Sequence, residues 1–102
     1  MSMVCNKLVR DKIPAIINAQ GKKANTRILN DAEYLRALEV KLDEEVSEYH
    51  KDRNLEELAD ILEVVYALAG ITGGREELER IYAKKHVERG GFAKRIYLIS
   101  KE

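Results

Sequence analysis

There is no tryptophan in this chain, and among its 102 residues only one phenylalanine, one proline and one cysteine. A lone Cys5 excludes a disulfide framework and a multi-cysteine metal knot, and it suits a reducing, cytoplasmic setting. No long apolar run is present. The richest stretch, residues 61–71, is interrupted by Glu63 and is too short to span a bilayer. The start carries Lys7, Arg10, Asp11 and Lys12 where a secretory leader would be apolar. Net charge is also missing: 18 basic residues balance 18 acidic ones. Nothing in that balance points to a nucleic acid polymer or an anionic membrane as partner.

What is present is a core-forming share of hydrophobic residues, 45%. That is enough for one folded domain over residues 1–102 and too much for a disordered chain. A chain this short buries limited surface alone, so association with further copies would help it. The charges are segregated, with an acidic middle between two basic ends.

The periodicity is helical. Pro14 suits the first turn of a short helix starting near Asp11 or Lys12 and ending at Gly21. Residues 26–29, TRIL, read as a short extended piece. Asn30 with Glu33 three residues on forms a capping-box pattern. Leu35, Leu38, Leu42, Val46 and Tyr49 then recur at steps of three and four, predicting a helix to about His50. After a tight KDRN connection, Asn54 and Glu57 repeat the capping pattern. A second long helix is expected to about Ala69, where Gly70 and later Gly73 and Gly74 stop it. A third covers roughly Arg75 to Arg89, with a stripe of Leu78, Ile81, Tyr82 and the stem of Lys85, and ends at Gly90 and Gly91. RIYLI, residues 95–99, reads as a strand that could pair with TRIL. The expected fold is therefore all-α: an antiparallel helical hairpin plus a third helix, completed into a bundle by oligomerisation, with at most a minor two-stranded piece.

The second long helix has two apolar faces. One is the broad stripe of Leu55, Leu58, Leu62, Val65 and Ala69. The other is continued by Ile61 and Val64 and carries Glu57 and Asp60. Two such faces require two sets of neighbours, one in the same chain and one in a partner subunit.

On the first long helix, Glu45 and Glu48 are i, i+3 neighbours, and Lys41 shares their side. Glu57 and Asp60 have the same spacing on the next helix. A short antiparallel connection lets these four carboxylates converge near one end of the hairpin. Like charges so placed repel, and a hard divalent cation, Mg²⁺ or Mn²⁺, relieves the repulsion. The alternative is an ordinary solvated acidic surface. His50 and His86 read as surface or capping residues.

Three blocks carry a resemblance: NKLVRDKIPAII at residues 6–17, the acids Glu44, Glu45, Glu48, Glu57 and Asp60 within KLDEEVSE and EELADILEVVYAL, and KKHVERGGFAKRIYL at residues 84–98. Together with YLRALEVKLDEE, they resemble the MazG-like all-α nucleotide pyrophosphohydrolases, whose acidic pattern is E-E-x-x-E, a gap, then E-x-x-D. That superfamily also holds dimeric dUTPases and phosphoribosyl-ATP pyrophosphohydrolases. The resemblance implies Mg²⁺ held by Glu45, Glu48, Glu57 and Asp60, with Glu44 as a further candidate that orients a water or a second ion. It implies hydrolysis of a nucleoside triphosphate between the α and β phosphates, by a homodimer or homotetramer with helices of two chains around each site. Glu45, or Glu48 as its rival, would accept the proton of the attacking water.

By position alone, RGGF is a helix stop followed by a core plug, Phe92, with solvated basic neighbours. The resemblance instead makes Arg10, Lys84 and Arg89 phosphate-binding residues. Lys41 is either a phosphate ligand or a partner of Glu45. Lys7, Lys12 and Arg95 are further candidates. The short gap between Glu48 and Glu57 leaves little material for a nucleobase lid, which points away from the dUTPases. Two alternatives stand beside this expectation. One is phosphoribosyl-ATP pyrophosphohydrolase of histidine biosynthesis. The other is a non-catalytic helical dimerisation or regulatory protein.

Overall fold

A computed structural model describes residues 3–102 and contains four helices: α1 (Ile13–Ala19), α2 (Asp31–Asp52), α3 (Leu55–Thr72) and α4 (Arg75–Arg89). The architecture is all-α, and no strand is present among the described residues.

Local chemistry sets the boundaries. Pro14 lies in the first turn of α1, where its missing N–H is no loss. At the start of α2 the full capping box forms. The Asn30 side chain accepts from the Glu33 N–H at 2.9 Å, and the Glu33 carboxylate accepts from the Asn30 N–H at 3.2 Å. Arg27 clamps the same carboxylate with two contacts, at 3.0 and 3.1 Å, and this guanidinium is the chief cause of a Glu33 pKa below the usual carboxylate range. Asn54 caps α3 through the Glu57 N–H at 3.0 Å.

Three boundaries differ from the sequence expectation. α2 runs two residues past His50, through Lys51 and Asp52, so Arg53 and Asn54 alone connect the hairpin. Arg53 makes the reversal in the left-handed region, with φ 51°, and its N–H donates to the Tyr49 carbonyl at 2.7 Å. Gly70 does not end α3. Glycine inside a helix costs only about 1 kcal/mol relative to alanine. The break falls at Gly74, whose φ of 99° favours glycine.

The third difference is the tail. RIYLI pairs with nothing among the described residues, and TRIL is likewise unpaired. A strand exists only by its ladder, and no second strand lies alongside either segment. Phe92, the core plug of the positional reading, is 97% exposed.

The core is the seam between α2 and α3, centred on Leu38 at 3% exposure and Val64 at 6%. Its position identifies which face of α3 meets its own chain. At about 100° per residue, Val64 lies on the side of Glu57, Asp60 and Ile61, about 140° round from the centre of the leucine stripe. The stripe therefore looks outward: Leu55 is 81% exposed, Leu58 43% and Leu62 47%.

α4 packs against α3 only. At their junction Tyr66 donates to Glu79 at 2.8 Å, and the Arg75 guanidinium lies 3.6 Å from the Tyr66 ring centroid. No residue of α4 is buried, so its Leu78–Ile81–Tyr82 stripe does not enter a core. The exposed surface is 9649 Å², against about 5,900 Å² for a compact monomer of this mass. The radius of gyration, 18.1 Å, likewise exceeds the roughly 13 Å of a compact domain this long. No helix among the described residues is long and apolar enough to cross a membrane.

Candidate metal centre

The two-residue reversal at Arg53–Asn54 fixes how the acids of α2 meet those of α3. Glu45 lies on the seam-facing side of α2, about two turns beyond Leu38, with a side chain only 14% exposed. Carboxylate oxygens of Glu45, Glu57 and Asp60 lie within 4.8 Å of one another. A second triad, Glu48, Asp52 and Glu57, meets the same distance and sits further toward the turn, with Glu48 and Asp52 exposed. Glu57 belongs to both. Glu44 is exposed and joins neither triad.

The four acids named from sequence are thus brought together as two overlapping groups rather than one. Asp52 completes the outer group, and its signal was available: it stands four residues after Glu48, one helical turn on. The Glu57 carboxyl titrates above the usual carboxylate range, first through partial desolvation and then through the charges of Asp52, Asp60, Glu48 and Glu45.

Two cations touch the inner group. Arg10 donates to Asp60 Oδ1 at 2.7 Å and lies 3.5 Å from Glu63 Oε1. Lys41 Nζ lies 3.5 Å from Glu45 Oε1 and 3.7 Å from Glu44 Oε2. Lys41 is therefore a partner of Glu45, and Arg10 a partner of Asp60. α1 packs against no other helix, so the N-terminal segment meets the hairpin through the Arg10 ion pairs and through Leu8 and Val9 beside them.

These groups line a cleft of about 380 Å³. Its walls carry Glu45, Asp60 and Glu63 with Arg10 and Lys41. Leu38, Val64 and Ala67 form an apolar patch, Tyr34 and Tyr66 supply aromatic surface, and Leu8, Val9 and Asp11 close one side. The volume is within the range of small-molecule sites. Glu63, Tyr34 and Tyr66 were not singled out from sequence, although Glu63 follows Asp60 at the same i, i+3 spacing. A second groove of about 360 Å³ lies at Asp31, Tyr34, Leu35 and Ile71, with one carboxylate and no cation.

The remaining candidates lie elsewhere. Lys7 and Lys12 are exposed and outside the cleft lining; Lys12 occupies the N-cap position of α1 without capping it through its side chain. Lys84, Arg89 and Arg95 are exposed on α4 and the tail, and none lines the cleft of its own chain. His50 and His86 are exposed, and His86 stacks on Tyr82 at a centroid distance of 6.1 Å.

Comparison with known proteins adds one similarity. An uncharacterized protein of Mycolicibacterium smegmatis is 55% identical over 42 residues, which cover 41% of this chain and 43% of that protein. The match therefore spans less than half of either chain. No family model matches this chain, and no solved structure matches it.

Proposed function

We propose that this chain is a Mg²⁺-dependent nucleotide pyrophosphohydrolase, cleaving a nucleoside triphosphate between the α and β phosphates to give a nucleoside monophosphate and pyrophosphate. The observation that carries the reading is the inner triad: Glu45, Glu57 and Asp60 lie within 4.8 Å of one another, and Glu45 and Asp60 line a cleft that also holds Arg10 and Lys41. The sequence resemblance supplies the reaction.

The donor set fits a hard cation. All its ligand atoms are carboxylate oxygens, suited to Mg²⁺ or Mn²⁺ rather than to a thiophilic metal. Glu57 is raised first by desolvation and then by the neighbouring carboxylates, and a divalent charge would offset the second of these. Bound there, such an ion polarises phosphate oxygens and lowers the pKa of a coordinated water.

The chain's own residues do the rest. Glu45, nearly enclosed and beside Lys41, accepts the proton of the attacking water; Glu48, exposed on the outer triad, is the rival base. Arg10, which meets Asp60, would be the guanidinium nearest a phosphate oxygen if that carboxylate held a cation. Tyr34 and Tyr66 offer faces for a base, and the apolar patch excludes water from one side. The active form is a homo-oligomer, supported by the outward leucine stripe and the excess exposed surface. Lys84 and Arg89 then meet phosphate only if another copy presents them.

The test is product identity. Nucleoside triphosphates incubated with Mg²⁺ should yield monophosphate and pyrophosphate in equal amounts, with none in EDTA and none from Asp60→Asn. Diphosphate and orthophosphate as products would refute α–β cleavage. Absence of turnover on both nucleoside triphosphates and phosphoribosyl-ATP would favour the non-catalytic dimer.

A further inference from the structure

Two apolar surfaces stand bare, and they have complementary needs. One is the N-terminal half of the leucine stripe on α3, Leu55, Leu58 and Leu62, on the side of the helix away from α2. The other is the tail after Gly90, in which Phe92 and the unbroken run from Ile96 to Ile99 are all exposed. An apolar run without polar alternation is the pattern of a segment covered on both faces. Gly90, with φ 79°, turns the chain out of α4 at a conformation that other residues rarely adopt. The tail then lies off its own hairpin.

Area and charge identify what covers both. The surplus over a compact monomer is roughly 3,700 Å² per chain, several times the ~800 Å² that each partner contributes to a standard interface. That surplus leaves ample area for an interface of standard size. The tail is basic, with Lys94 and Arg95 in it and Arg89 just before it. The leucine stripe is bordered by Glu56 and by Glu63, whose carboxylate also meets Arg10 of its own chain. A second copy offers the matching charge at each surface.

We propose that residues 91–99 of each copy lie across the Leu55–Leu62 stripe of α3 in a second copy, in a reciprocal exchange. A two-fold arrangement uses both bare surfaces twice and leaves no open end, so the assembly closes as a dimer. The exchange rests on the homo-oligomeric part of the functional reading and not on its nucleotide chemistry.

The test uses the full chain carrying p-benzoylphenylalanine in place of Phe92 or of Tyr97. Isotopically heavy and light protein are mixed, denatured, refolded together and irradiated. The expected products are heavy–light cross-links from the tail to peptides spanning residues 55–62, in a species that sediments as a dimer. Tail cross-links to residues 55–62 only within one isotope label would overturn the exchange. So would a dimer whose tail cross-links elsewhere, and that outcome would leave the homo-oligomer intact. A monomer in sedimentation would overturn both. Ile96→Asp and Leu58→Asp give a second readout: each should weaken the dimer at least tenfold while helical circular dichroism persists. An unchanged dimer in both variants would refute the contact.

Discussion

Arg10 has two roles in this account that pull in opposite directions, and Arg10→Met separates them. Methionine keeps most of the aliphatic stem and removes the charge. The guanidinium touches Asp60 at 2.7 Å and Glu63 at 3.5 Å, and all three side chains are substantially exposed. Exposed pairs of this kind contribute about 0.2–1 kcal/mol. The variant should therefore lose about that much stability in EDTA. The same interaction must be given up when a cation takes the Asp60 oxygen. By reciprocity, removing Arg10 should tighten Mg²⁺ binding in the absence of nucleotide by about 1.4- to 5-fold. With nucleotide present the sign reverses. A phosphate ligand has been lost, so KM should rise by about tenfold or more, the scale of a charge-assisted hydrogen bond. Isothermal titration with Mg²⁺ alone, followed by steady-state kinetics, reads both. If Arg10→Met weakens Mg²⁺ binding without nucleotide, Arg10 does not compete for Asp60 and the reasoning fails.

Glu57 is expected to govern the pH dependence. Its carboxyl titrates higher in the folded chain than in the unfolded one. Between those two values the folded chain binds more protons, so stability in EDTA should fall as pH rises through the window. Mg²⁺ affinity should rise over the same window as the proton leaves. Glu57→Gln should flatten both trends in thermal melts and titrations, and trends of unchanged slope would contradict the assignment. Asn30→Ala should cost about 1 kcal/mol by opening the capping box, read as a fall of about 4–8 °C in melting temperature. A shift indistinguishable from zero would mean that the box does not hold α2. Leu38→Ala removes the most buried side chain of the seam. It should cost about 2–5 kcal/mol, enough to leave the hairpin largely unfolded in urea titrations, and a wild-type midpoint would place the core elsewhere.

What sequence makes legible here is local. Asn30 and Asn54 act within three residues of themselves, so both helix starts could be read directly. The helix ends were harder, because Gly70 weakens a helix without stopping it and the break waits for positive φ at Gly74. The i, i+3 spacing put Glu45 with Glu48 and Glu57 with Asp60 on shared faces. It did not give the depth of each side chain or the register across the seam, which divide the acids into two triads and bring in Asp52. RIYLI has the composition of a strand, but a strand is a relationship between segments, and its partner is absent from the described residues. The contact of Arg10 with Asp60 spans fifty positions and has no periodicity to announce it. Nor could periodicity say which apolar face of α3 meets α2; Val64 in the seam answers that, and the leucine stripe is left for another surface.

The central claim is that the junction of α2 and α3 holds a divalent ion through Glu57 and its neighbours. Mn²⁺ titration followed by electron paramagnetic resonance tests it without any assumption about substrate. Wild-type protein should deplete the six-line signal of free Mn²⁺, and Mg²⁺ should restore it by competition. Glu57→Gln, which removes the one residue common to both triads, should leave most of the free signal in place. Equal depletion by wild type and Glu57→Gln, or none by wild type, would contradict the account.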